Sequence, residues 1–114
     1  MFAYTDQLYN GTATSSGNTY TTPIVTSYVQ EASVFLKVTA VSGSNPTLDV
    51  EIMQYDRISD DWYLLGTFSQ KSSTGTDVGQ IPYGLGEKMA IKYTIGGTSP
   101  SFTFQVNTTM KEKK

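Results

Sequence analysis

The sequence predicts an all-β protein, an antiparallel β-sandwich with about eight strands, and three observations carry that prediction. First, residues 35–68 read FLKVTAVSGSNPTLDVEIMQYDRISDDWYLLGTF, where Leu36, Val38 and Ala40 alternate with Phe35, Lys37 and Thr39, and Leu48, Val50 and Ile52 with Asp49, Glu51 and Met53. A period of two is that of strands with one face on a core and the other to water or a partner. Second, the chain favours Thr, Ser, Gly, Val and Tyr over the strong helix formers, a composition suited to pleated surfaces and tight turns. Third, one design occurs twice. In GSNPTLDVEI and GTSPSFTFQV, Gly43 matches Gly97, Pro46 matches Pro100, and Leu48, Val50 and Ile52 match Phe102, Phe104 and Val106. We read these as two strand-Gly-x-x-Pro-strand hairpins facing each other across the sandwich.

Residues 1–11 read as an N-terminal arm. Phe2, Tyr4, Leu8 and Tyr9 are apolar or aromatic, but Asp6 and Gln7 interrupt them and Asn10-Gly11 ends the run. Too polar for a core strand and too apolar for a solvated tail, these four residues are the candidate partner-binding set; an edge strand or a frayed terminus is the plainer reading.

Residues 12–109 form the single predicted domain. A short strand at 12–15 meets the turn Ser16-Gly17-Asn18, and a strand over 19–28 is broken at Pro23, which donates no ladder hydrogen bond. Central strands are expected near 33–41, 47–55, 62–68, 88–95 and 101–108, the first three as a meander, with a short strand around 77–81 inside a long loop. The expected inward set is Leu36, Val38, Leu48, Val50, Ile52, Leu64, Met89, Ile91, Tyr93, Phe102, Phe104 and Val106. Residues 110–114 read as a charged, mobile tail.

Composition then limits chemistry. At 114 residues the chain suits one domain with a real core. With no Cys and no His it has no disulfides, no thiolate metal site and no imidazole base, so no catalytic residue and no cofactor is expected. A net charge of -2 without a basic stripe argues against nucleic acid. No apolar run is long enough for a membrane span, and the N-terminus lacks the pattern of a signal peptide, so a chain made in the cytoplasm is expected. Asp56, Asp60 and Asp61 invite a calcium reading, but no Gly-containing loop with a bidentate Glu follows, and Asp is favoured in turns for its own hydrogen bonds.

The pattern VTAVSGSNPTLDVEI, then DDWYLLGTF, then IKYTIGGTSPSFTFQV, resembles a group of small virion structural proteins of tailed bacteriophages and prophages. The resemblance implies a non-enzymatic component of the particle with an antiparallel β-sandwich, jelly-roll-like fold, assembled in the host cytoplasm. Its expected role is a capsid decoration or cementing protein on the outer shell, with the major capsid protein or another virion protein as partner. A homo-oligomer, dimer or trimer, is expected with it. The alternatives are a phage tail or baseplate component, or a carbohydrate-binding module in which Tyr55, Trp62, Tyr63 and Tyr83 stack on sugars. Against the latter, Trp62 opens a central strand and reads as core.

Overall fold

The computed structural model describes residues 3–81 and 85–112; Phe2 of the candidate set and Tyr83 lie outside them. Seven strands form one antiparallel hydrogen-bonded sheet: β1 (Ala3–Ala13), β2 (Gly17–Asn18), β3 (Ile24–Val25), β4 (Val29–Asp56), β5 (Asp61–Thr67), β6 (Gly75–Ile81) and β7 (Lys88–Glu112). The all-β, sandwich-like architecture expected from the sequence is the one found.

The two long strands organise it. β4 and β7 run antiparallel along nearly their whole length, from Val29 opposite Glu112 to Gln54 opposite Met89. Fully extended, the 28 residues of β4 would reach roughly 90 Å. The longest dimension of the molecule is 47 Å, so both strands fold over. They do so where the two Gly-x-x-Pro motifs lie side by side, and the ladder changes register between Ser42 and Thr47. Gly43 and Gly97 both have φ 110°, and Asn45 and Ser99 take left-handed values of 50° and 49°. A Cβ on Gly43 would sit 2.6 Å from the Ser99 carbonyl oxygen, and one on Gly97 would sit 2.7 Å from that of Asn45. Each motif thus passes through the space that a side chain of the other would need.

The repeat is real, but its expected role as two hairpins is corrected. Glycine, a left-handed residue and proline bend both chains together without reversing either, so 33–41 and 47–55 are one strand, as are 88–95 and 101–108. The three-stranded meander reduces to one hairpin, β4 to β5.

The fold-over divides the sheet into two leaves. In the first, β1 pairs with residues 102–111 of β7, and β6 with residues 32–38 of β4. In the second, β5 pairs with residues 51–56 of β4, while β2 and β3 pair with residues 88–93 of β7. The two halves of the chain follow one plan. Each half opens with a strand laid on the other half's last segment and ends in a long strand bent at Gly-x-x-Pro.

Between the leaves lies the core: Val34, Leu36, Val38, Phe102, Phe104 and Val106 from the first, and Leu48, Val50, Ile52, Met89 and Ile91 from the second. Ten of the twelve expected inward residues are buried here, and Tyr93 packs against them in part. Leu64 is the correction, being 53% exposed. Between Ile52 and Met53 the β4–β5 register slips, so that Gly66 faces Ile52 and Leu64 faces Met53. Leu65 is the extra residue, and it packs on the core instead. Residues at both chain ends are core as well. Leu8 and Met110 are buried, so the segment read as an arm is a strand of its own domain, and the charged tail begins inside β7.

Candidate functional site

Of the expected partner-binding residues, Leu8 is buried, at the bulge where β1 shifts register between Gln7 and Tyr9. Tyr9 stacks on Phe104 at 4.5 Å and meets Tyr93 at 5.2 Å; burial, then the neighbouring Tyr93 phenol, raise its own phenol above the ordinary tyrosine value. These two side chains therefore belong to the domain's interior packing. Tyr4 is exposed, donates to the Glu112 carboxylate at 3.2 Å and meets Tyr28 edge-on at 5.7 Å. The set does not assemble into one site.

Two other surfaces stand out, one on the outside of each leaf. On the first leaf, alternation turns Phe35, Lys37 and Thr39 of β4, Gln105 and Asn107 of β7, and Thr76 and Val78 of β6 away from the core. Most of these side chains are polar and uncharged, and Lys37 is the charged one among them. Gln7 donates to Asn107 at 2.8 Å, Asn107 donates to Gln105 at 2.8 Å, and the hydroxyls of Thr12 and Thr103 bond at 2.8 Å. In this polar field Phe35 and Val78 form a cross-strand pair, 42% and 54% exposed, with Asn107 opposite Phe35 on the other side. A shallow depression of about 560 Å³ runs along them, edged by Lys37, Thr76 and Asp77.

On the second leaf, Met53 and Ala90 face away from the core yet are buried, because aromatic rings lie on that side. Trp62 is the cross-strand partner of Tyr55, their rings 5.3 Å apart. Tyr20 stacks on the indole at 4.5 Å and within 5° of parallel. Lys88 holds its ammonium 4.9 Å from the centre of the Tyr55 ring, the range of a cation–π contact. Trp62 is therefore half-buried on an outer face, which corrects its expected place in the core. Tyr63 points to the other side of the strand and donates to the Ser59 hydroxyl at 3.0 Å.

Tyr20 is held by a tightly bonded turn. The Thr19 amide donates to the Ile91 carbonyl at 3.0 Å, the Ile91 amide to the Thr19 hydroxyl at 3.0 Å, the Thr22 amide to the Thr19 carbonyl at 3.1 Å, and the Tyr20 amide to the Asn18 side chain at 3.1 Å. Burial raises the Tyr20 phenol above its ordinary value, and the carboxylates of Glu51 and Asp61 raise it further. The Tyr55 phenol is raised first by its hydrogen bond to Asp60, then by burial. The sequence signal for Tyr20 was slight: a tyrosine after an Asn-Thr turn, with nothing to say which strand it would cross.

The turn aspartates have local partners. Asp56 accepts from the Ser59 hydroxyl and from the amides of Ser59 and Ile58, contacts that lower its pKa, while Asp60 accepts from Tyr55 and Asp61 from the Trp62 amide. Among the described residues no three acidic side chains gather to hold a metal ion.

No family model and no curated protein matches the sequence. Solved structures do match the fold. The PBSX exported protein XepA superposes with a TM-score of 0.66 at 8% identity, over 97% of this chain and 38% of its own. The SPBc2 prophage-derived protein YomS superposes at 0.54 and 12%, over 96% of this chain and 92% of its own. A chain of the T13 IBDV viral particle gives 0.57 at 8%, over 97% and 31%. The xylanase Xyn10B of Clostridium thermocellum, in its CBM22-1-GH10 form, gives 0.52 at 9%, over 95% and 29%. At these identities the likeness is one of fold. The chain spans less than two fifths of XepA and nearly all of YomS.

Proposed function

We propose that this protein is a non-enzymatic structural component of a phage particle, a decoration or cementing module that docks on the outer shell through the outer face of its first leaf. The observation that carries the reading is the exposed Phe35–Val78 pair, set among the uncharged Thr, Gln and Asn side chains and Lys37 of the same face. An exposed aromatic and aliphatic pair among polar side chains suits a protein–protein interface, where a desolvated aromatic anchor supplies much of the affinity. Fold likeness to a prophage-derived protein and to a viral particle chain supports the same reading, as does the absence of His and Cys, which removes the commonest catalytic groups. The proposal extends to a closed dimer or trimer, the states that fit symmetric positions on a shell.

Co-sedimentation with particles assembled without this protein tests it. The intact protein is expected to pellet with the particles, and Phe35→Ser to weaken binding by at least about 2 kcal/mol, as truncation of a hot-spot residue does, with the thermal midpoint little changed because Phe35 is outside the core. Binding of Phe35→Ser equal to that of the intact protein would move the interface elsewhere.

A further inference from the structure

We infer that the outer face of the second leaf is a second binding site, for a neutral oligosaccharide, built on Tyr20, Trp62 and Tyr55. This goes beyond the docking role and uses a different surface.

The core between the leaves is complete without these three rings. Met53 and Ala90 are the buried apolar residues outside that cluster, and short aliphatic side chains would cover them as well. Tyr20 and Trp62 cover one face of each other, and the half-buried pair, with Tyr55 beside it, leaves apolar ring surface on the outside that suits the C–H faces of pyranose rings. Polar groups on the same strands supply the other half of the match: Glu51 alternates with Met53 and Tyr55 on one face of β4 and Asp61 precedes Trp62, so their carboxylates accept from sugar hydroxyls, and the Lys88 ammonium beside Tyr55 donates.

This mixture selects among ligands. A phosphate-bearing chain would bring negative charge against Glu51 and Asp61. An apolar peptide would desolvate the same carboxylates without giving them hydrogen bonds, which opposes its binding. A neutral polyhydroxyl ligand meets rings, acceptors and donor together. The turn that carries Tyr20 is already fixed by four hydrogen bonds, so little order has to be gained on binding.

The protein has one tryptophan, and it lies in the site, so its fluorescence reports occupancy directly. The test is a titration of Trp62 emission with cellohexaose, xylohexaose and chitohexaose, and with a hexamer of galacturonic acid as the anionic counterpart. The expected result is a saturable change with at least one neutral hexasaccharide at or below about 1 mM, and a loss of about tenfold or more in affinity in Tyr20→Ala. Tyr20→Ala should stay folded with at most a modest fall in its thermal midpoint, since Tyr20 is outside the core cluster. Phe35→Ser should bind saccharide normally, which separates this site from the docking face. The inference is overturned if no neutral hexasaccharide gives a saturable response up to about 10 mM, if Tyr20→Ala binds as tightly as the parent, or if the anionic hexamer binds best. Loss of particle binding in Tyr20→Ala without any saccharide response would also overturn it, and would make this face a protein interface.

Discussion

On the Asp77 carboxyl, burial pushes the pKa up, while the Val78 amide at 2.9 Å, the Ser69 amide at 3.2 Å and the Lys71 ammonium at 3.6 Å pull it down. The hydrogen bonds and the cation win, and the group sits below its ordinary value. A carboxyl depressed on folding adds stability that is present above its unfolded pKa, near 3.9, and is lost as pH falls through the folded value. Asp77→Asn should therefore be less stable than the parent at pH 7 in urea titrations, with the gap closing between about pH 4 and pH 2. A gap that persists at pH 2 would point to packing rather than charge. Phe104, buried between the leaves and stacked on Tyr9, gives a plainer test: Phe104→Ala should cost about 3 to 5 kcal/mol by the same measurement. Burial at this scale was legible wherever alternation ran unbroken, as at Phe102, Phe104 and Val106. It failed at Leu64 because one bulge residue inverts the faces of everything beyond it, and a bulge leaves little trace in residue type.

Among the elements, the paired Gly-x-x-Pro motifs matter most. Their glycines combine a positive φ with a carbonyl oxygen where a Cβ would go, so Gly43→Ala and Gly97→Ala should each cost more than about 1 kcal/mol. Because each motif meets the other in the same way, the two penalties should be similar. Thermal or chemical denaturation checks this, and a neutral result at either glycine would contradict the crossing. The repeat itself was plain in the sequence; its meaning was not. Gly, Asn or Ser, and Pro are the residues of chain reversal as well as of a bend, and only the partner lying alongside decides between them. β1 was obscured for a related reason: Asp6 and Gln7 break its alternation, but on an edge strand they face solvent while Leu8 fills the core.

For the whole molecule, the fold-over turns one sheet into a two-leaf sandwich with two unlike outer faces. One is a polar plane with an apolar pair at its edge; the other carries stacked aromatic rings. Fold class followed from strand periodicity and composition. The outer faces followed only in part: Phe35, Val78 and Asn107 come from three strands that the sequence does not link, and Tyr20 reaches the Trp62–Tyr55 pair from the turn between β2 and β3. In the proposed reading the core holds the shape and the two faces meet partners. The most direct test of the structural role is to locate the protein in purified phage particles by electron microscopy with antibody-gold labelling. The account predicts gold at regular positions over the outer shell of the head, lost from particles made without this chain. Gold confined to the tail or baseplate, or absent from particles that contain all other components, would contradict it.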